Sequence, residues 1–273
     1  MNLRPRSLAL LLSSFVITAP AASAGISVLS GLTHEQVSEI GQSYAGEVQL
    51  ANNSNHPAQV KIYLTDYTFD ATGTTTYDEI GSIARSSGPW VVLGSPGVIT
   101  LGPRQRAAIP YTVAIPVTPG LAGTYWSVLM VEEVPPVVLR SEVPAEPSLG
   151  LRSVLRYAIQ LITHVGDSGE EDFRITAMKL EASDVKHLGR LHVDLENVGD
   201  TLLRADLRFE LFDREGRAVG VFLSSAKRVY PTTSARFTAD LTEVPQGRYK
   251  LLMLVRLTSG SVYASEYQLE PAT

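Results

Sequence analysis

Two segments that repeat the same order of residue types constrain the fold of this chain more than any other feature. Each begins with Gly-x-Tyr and continues into an apolar run typical of a buried β-strand. The first is Gly-Thr-Tyr-Trp-Ser-Val-Leu-Met-Val-Glu at residues 123–132, and the second is Gly-Arg-Tyr-Lys-Leu-Leu-Met-Leu-Val at residues 247–255. A tyrosine just inside the penultimate strand of a β-sandwich can hydrogen-bond back to the preceding corner. Two such corners predict two sandwiches.

The turns between the strands recur in the same order in both halves. Asn53-Ser54 precedes Asp70-x-x-Gly73, and Asn197-Val198-Gly199 precedes Asp213-x-x-Gly216. Between the turns apolar and polar residues alternate with a period of two, as in residues 59–65, and no long stretch has the helical period of 3.6. We therefore predict an all-β chain of two tandem immunoglobulin-like β-sandwich domains after a cleaved signal peptide. Coincidental turn composition is the alternative.

The first 24 residues have the features of a secretory signal peptide. Arg4 and Arg6 precede an apolar run over residues 8–17, and Ala22-Ser23-Ala24 forms a small-x-small cleavage site. The apolar run is too short to span a bilayer, so we predict cleavage after residue 24; an uncleaved anchor is the alternative. No later segment has about 18 consecutive apolar residues, which predicts no integral membrane segment in the mature chain.

Proline and acidic residues indicate how the rest of the chain divides. Four prolines between residues 135 and 147 cannot lie in a central strand, so residues 135–153 are predicted to form a long loop. The loop precedes the last strand of the first domain, residues 154–163. A glycine-containing acidic stretch then predicts a hinge. We expect one domain over residues 25–166 and a second over residues 167–273.

Composition excludes several classes of function. The net charge is −5, and it becomes −7 after removal of residues 1–24, in which Arg4 and Arg6 are the only charged residues. No basic tract is present, so nucleic acid is not an expected partner. The chain has no cysteine, so disulfides cannot stabilise a secreted form and both domains need cores of their own.

No sequence motif indicates catalysis or metal binding. The five histidines are scattered without metal-ligand spacing, and neither Gly-x-Ser-x-Gly nor a glycine-rich phosphate loop occurs. We therefore expect no catalytic residues, no metal site, no cofactor and no enzymatic activity. A catalytic group assembled from distant residues is the remaining alternative.

A series of short motifs in the first half occurs in an order found in a known family. The motifs are Asn53-Ser54, Asp66-Tyr67, Pro89-Trp90, Ser95-Pro96, Leu101-Gly102-Pro103 and Gly123-Thr124-Tyr125-Trp126. By these motifs the chain resembles the periplasmic chaperones of the chaperone–usher pilus pathway, and its first domain is also similar to that of WxL-interacting surface proteins. The resemblance covers the first domain well and the second only in architecture.

The resemblance implies that the last strand of the first domain is lent to an incomplete subunit. Backbone hydrogen bonds would supply affinity and alternate side chains would fill the partner's groove. The strand is residues 154–163, and its apolar row is predicted to bind the partner; the alternative is that the row faces the domain's own core. The residues of the row are Leu155, Tyr157, Ile159 and Leu161.

The chain departs from the family at the site that holds the subunit's terminal carboxylate. Pilus chaperones use an arginine near the first strand and a lysine on the last one. Between Gly25 and Val60 this chain has neither Lys nor Arg, so the first cation is absent. Arg156 or Arg152 is expected to replace the second cation, which adds both to the predicted partner-binding residues.

These expectations combine into one predicted function. We expect the protein to be a non-enzymatic periplasmic chaperone-like factor for fimbrium biogenesis, or for assembly or secretion of other extracytoplasmic β-rich subunits. Its partner is a protein subunit with an exposed β-groove or edge. The alternative is a structural or adhesive module at the cell surface that binds cell-wall polymer or a surface protein through its sheet faces.

Overall fold

A computed structural model describes residues 25–135, 154–167, 169–181 and 186–270. The predicted signal peptide, most of the predicted 135–153 loop, and Arg152 lie outside the described residues. Within the described ranges the chain forms β-strands and one short 3₁₀ helix, Gly88–Trp90. No helix in them is long and apolar enough to cross a membrane.

The first half of the chain forms two facing sheets. One has the strand order β1-β3-β8-β6, and the other has the order β2-β10-β9-β4-β5, with β7 also pairing with β4. All neighbours are antiparallel except β2, which runs parallel to β10. The strands are β1 (Ile26–Val28), β2 (Thr33–Ser38), β3 (Ser43–Asn52), β4 (Ala58–Phe69), β5 (Thr75–Asp78), β6 (Val91–Leu93), β7 (Gly97–Leu101), β8 (Arg106–Ala114), β9 (Gly123–Val134) and β10 (Arg156–Val165).

The core of the first half follows the alternation in the sequence. Val60 and Ile62 of β4 are fully buried, and Leu64 packs partly buried against the same cluster. Val48 and Leu50 of β3 enter the cluster from the opposite sheet. Every second residue thus faces the space between the sheets, as the period of two predicts.

The second half repeats this arrangement with its own core. One sheet has the order β11-β12-β16, and the other has the order β14-β13-β17-β18, with β15 also pairing with β13. Leu207, Phe209 and Leu211 on β13 alternate into a core that is separate from the first. The strands are β11 (Phe173–Glu181), β12 (Arg190–Asn197), β13 (Leu203–Phe212), β14 (Ala218–Leu223), β15 (Lys227–Val229), β16 (Ser234–Asp240), β17 (Tyr249–Leu257) and β18 (Val262–Leu269).

The predicted all-β class and the pair of sandwiches are confirmed. The last strand of the first pair of sheets ends at Val165, and the first strand of the second pair begins at Phe173. The boundary between residues 166 and 167 stays a prediction.

Only the second of the two predicted tyrosine corners has the expected hydrogen bond. The Tyr249 hydroxyl donates to the carbonyl of Pro245 over 2.9 Å. Tyr125 instead packs its ring on Trp90, with centroids 4.6 Å apart, and under Arg85. Arg85 also forms an ion pair of 3.4 Å with Asp200 of the second half, so the first corner is part of the contact between the halves.

This contact is close and mostly aromatic. Gly123 has φ +84°, and a Cβ there would lie 2.3 Å from the carbonyl oxygen of Asp200, so the turn requires glycine. Beside it, Trp126 is buried with its ring centroid 4.7 Å from that of Tyr230. Trp126 therefore has the packing role expected of a large aromatic, but it packs between the two sandwiches. The same cluster contains Ile162 of β10.

Candidate functional site

The predicted partner-binding strand β10 has neighbours of unequal length on its two sides. Strand β9 pairs with β10 from Arg156 to Val165. Strand β2, on the other side, pairs only from Gln160 to Val165. In the described chain the first four residues of β10, Arg156–Ile159, therefore have no strand beside them on the β2 side. We call this segment the open half of β10.

The direction of the backbone groups in the open half follows from two hydrogen bonds. The amide of Glu133 donates to the carbonyl of Leu155 on the β9 side, and the amide of Gln160 donates to the carbonyl of Leu32 on the other side. Backbone groups of successive residues in a strand point to opposite sides. The N–H and C=O groups of Arg156 and Ala158 therefore point to the open side, where an extended peptide can pair with them.

The four residues of the predicted apolar row differ in burial. Ile159 and Leu161 are buried in the core of the first half, next to Leu129 of β9. Tyr157 is half-buried, and its hydroxyl donates to the carbonyl of Ile26 over 3.0 Å. Leu155 is 38% exposed. Two members thus fill the protein's own core, and the role of the row in partner binding stays a prediction.

Charged side chains line the outer face of the sheet at the start of the open half. Arg156 lies opposite Glu132, which lies opposite Lys61. The Arg156 guanidinium contacts the Glu132 carboxylate over 3.0 Å, and the Tyr63 hydroxyl donates to the same carboxylate over 2.8 Å. The hydrogen bond from Tyr63, followed by those from the Arg156 guanidinium and its charge, lowers the pKa of Glu132 despite partial burial.

The other end of β10 faces a cleft between the halves. On β2, Glu35 contacts His164 of β10, with Nε2 2.7 Å from Oε1, and the guanidinium of Arg204 from the second half. Burial favours a higher pKa for Glu35, but the hydrogen bonds and charges of Arg204 and His164 outweigh it and lower the pKa. Nearby, the Arg228 guanidinium donates to Thr33 over 3.0 Å.

Arg204 and Arg228 are the cations that the sequence analysis missed. They approach β2 from the second half, and one guanidinium nitrogen of Arg204 is buried without a hydrogen-bond partner within the described residues. Both lie far along the chain from β10, and no motif marks them. Arg156, in contrast, is at the opposite end of β10 from this cleft.

Several strands of the described chain lie at the end of a sheet. Strand β14 of the second half is one of them. The amide of Ser224 donates to the carbonyl of Leu207 on β13. Because successive residues alternate, the backbone groups of Val221 and Leu223 point away from β13, to the open side. Val219, Val221 and Leu223 are 40%, 49% and 59% exposed. The edge therefore presents an apolar row on its outer face.

The described residues contain no group of three or more His, Asp or Glu side chains placed to hold a metal ion. Acidic side chains that follow one another in the sequence have other contacts. Glu132 pairs with Arg156, and Glu170 and Glu171 lie beside the turn that joins the halves.

Comparison with known proteins finds similarity only among solved structures. No family model matches the chain, and no curated protein does. The YadV chaperone is 14% identical, covering 90% of this chain and 100% of its own, with a TM-score of 0.43. The class 5 fimbriae chaperone CfaA is 14% identical to this chain. The match covers 90% of this chain and 100% of CfaA, with a TM-score of 0.45. A chain of the CsuC–CsuE chaperone–tip adhesion subunit complex of Acinetobacter baumannii is 14% identical. The match covers 88% of this chain and 97% of that one, with a TM-score of 0.46.

Proposed function

We propose that this protein is a non-enzymatic, chaperone-like factor that binds extracytoplasmic β-rich subunits, including fimbrial ones, by strand addition at the open half of β10. It acts in the periplasm. The observation that supports this proposal is the unpaired side of Arg156–Ile159 in a sheet whose next residues are covered by β2. A neighbour that stops at Gln160 leaves a defined place for a partner strand to end.

The contributions to binding at this edge are unequal. Two residues present outward N–H and C=O groups, and each backbone hydrogen bond contributes about 0.5–1.5 kcal/mol net. Apolar side chains at the entry to the strand, Val154 (46% exposed) and Leu155, contribute about 1.5–3 kcal/mol each if a partner buries them fully, before ordering costs. Exposed ion pairs contribute about 0–1 kcal/mol. Affinity is therefore expected to come mainly from apolar burial and the backbone ladder.

The two halves have different roles in this proposal. Residues 25–166 form the domain that presents the strand, and residues 167–273 form a domain that supports it from the cleft side. Tyr230 donates to the Gln160 side chain over 2.9 Å, and Arg228 contacts β2, so the second domain holds the covered half of β10 in place. Arg152 and Leu161 remain predicted partner residues in the same scheme.

Photo-crosslinking at two matched positions tests the proposal. A benzophenone amino acid replaces either Leu155 at the open half or Leu223 on β14, two exposed leucines, in the full-length chain expressed in a Gram-negative cell. We expect position 155, but not 223, to form an adduct with an exported β-rich subunit in the soluble periplasmic fraction. Adducts confined to position 223, or adducts at neither position, would contradict the proposal.

The exposed row on β14 favours a second candidate function. Three apolar side chains on one outer face, Val219, Val221 and Leu223, suit contact through a sheet face. A surface structural or adhesive module that binds cell-wall polymer or a surface protein needs such a face and no open strand. In that case the chain sediments with the envelope, and the adducts form at position 223.

A further inference from the structure

We propose that the strand added to β10 carries a side-chain carboxylate opposite Arg156, and that this ion pair sets the register of the partner. The inference rests on the proposed function, because it concerns the same edge. It adds a chemical property of the partner that strand addition alone does not specify.

The cross-strand register supplies the first argument. Lys61 of β4, Glu132 of β9 and Arg156 of β10 are direct neighbours across three strands, so their charges alternate in sign along one row. The row ends at Arg156, because no further strand of the described chain lies beside this part of β10. Opposite charges on directly opposed residues stabilise a sheet, and like charges destabilise it. The position that continues the row therefore favours an acidic residue.

The geometry of Arg156 supplies the second argument. Its side chain is 49% exposed, and one terminal nitrogen contacts Glu132 over 3.0 Å. A guanidinium has five N–H donors, so most of them remain for a second carboxylate. A new strand lies about 4.8 Å from β10 and twice that from β9. A carboxylate on the new strand is therefore closer to Arg156 than to Glu132. Its attraction to Arg156 exceeds its repulsion from Glu132.

The position of Arg156 explains why the pair would set register. Within Arg156–Ile159 no other residue is charged. A shift of the partner by one residue moves its carboxylate to the other face of the sheet, and a shift by two places it opposite the methyl group of Ala158. Only one alignment therefore forms the ion pair.

Peptide selection against charge variants tests the inference. The probe is a phage library of nine-residue peptides, fused at their C-termini, with apolar residues at alternate positions and the others randomised. It is selected on the full-length chain, on Arg156→Glu and on a matched control, Arg106→Glu, which changes the first residue of β8 in the other sheet. We expect about fivefold enrichment of acidic over basic residues at one position for the wild type and for Arg106→Glu, and basic enrichment for Arg156→Glu. An unchanged preference with Arg156→Glu overturns the inference.

Two further arms separate this inference from the proposed function. Ala158→Pro removes an outward amide, at an edge position where proline is tolerated. An N-methylated selected peptide tests the same hydrogen bonds without changing the protein. If neither change reduces binding, strand addition itself is wrong. If both reduce it but no charge preference exists, only the inference fails. A selected peptide should bind equally with a free or an amidated C-terminus, and a requirement for the free terminus would overturn the inference in favour of a terminal carboxylate.

Discussion

The open half of β10 and the strand β14 are both unpaired edges, but they present different groups. In β10 the alternate apolar residues turn inward, and Ile159 is fully buried, so the edge mainly presents backbone groups beside an arginine. In β14 the apolar residues Val221 and Leu223 turn outward, and no residue of Ala218–Leu223 is charged. The first edge therefore suits strand pairing, and the second suits contact through side chains. Burial of one row decides which groups an edge can offer.

The largest expected difference between the two edges is in stability. Ile159→Asp places an unpaired carboxylate in the core and should lower the free energy of unfolding by about 4 kcal/mol or more. Val221→Asp changes a half-exposed site and should alter it by less than about 0.5 kcal/mol. Denaturant unfolding followed by far-ultraviolet circular dichroism measures this, because the strands of both halves contribute to the signal. Equal stability of both variants would mean that the β10 row does not fill its own core.

The next largest difference is in partner binding. Leu155→Ser should weaken, about tenfold, the binding of a library peptide selected for the open half of β10. This corresponds to about 1.4 kcal/mol of lost apolar burial. Leu223→Ser, at a leucine that is more exposed (59% against 38%), should leave the binding unchanged. Fluorescence anisotropy of the labelled peptide measures both, and circular dichroism checks that both variants fold. Loss of binding only in Leu223→Ser would support the sheet-face alternative.

A smaller effect concerns the hydroxyl that holds the open half of β10 to the facing sheet. Tyr157→Phe leaves the carbonyl of Ile26 without its hydrogen bond and should lower the free energy of unfolding by about 1 kcal/mol. Tyr249→Phe removes the exposed corner bond to Pro245 in the second half and should cost less. Thermal unfolding of the two variants compares them. A larger loss for Tyr249→Phe would mean that the β10 contact is weaker than its geometry indicates.

The smallest effect is a pH dependence of the β10 edge. The pKa of Glu132 is lowered in the folded chain, so the stabilisation from its contacts is present above the ordinary value of 4.5 and is lost as the pH falls through the lowered value. Strand β14 itself contains no titratable residue, but Glu210 of β13 lies opposite Val221, so Glu210→Gln is the matching control for that edge. NMR titration of backbone amides in both strands measures this. Glu132→Gln should remove the response of the open half of β10, whereas amides next to His164 still follow Glu35, whose pKa is also lowered. A response of the open half that persists would assign it to another group.

The fold followed from local patterns because alternation and turns are local properties. The period of two in residues 59–65 placed Val60 and Ile62 in the core, and the repeated turn order predicted two sandwiches, as observed. The same reasoning was wrong about Tyr125, whose ring packs against Trp90 instead of forming a corner bond. The reason is contact with the second half, which no local pattern records.

The candidate site was predicted only in part. The sequence identified the last strand of the first half as the strand of interest, with Arg156 and the whole row from Leu155 to Leu161 as partner residues. The structure leaves Leu155 and Arg156 accessible and buries Ile159 and Leu161. The sequence could not show that β2 stops at Gln160, because the end of a pairing depends on where the two chain segments meet in space. It also could not bring Arg204 beside Glu35, since residues so far apart in sequence meet only when two cores have formed and docked.

The sequence by itself thus determined the all-β class, the inward row of alternating strands such as β4, and the number of sandwiches, because each depends on neighbours a few residues away. It left open whether the β10 row faces a partner or the domain's own core. Tertiary structure alone decided which edges stay open and which charges surround them. An edge is open when no distant segment covers it, and that outcome depends on long-range packing.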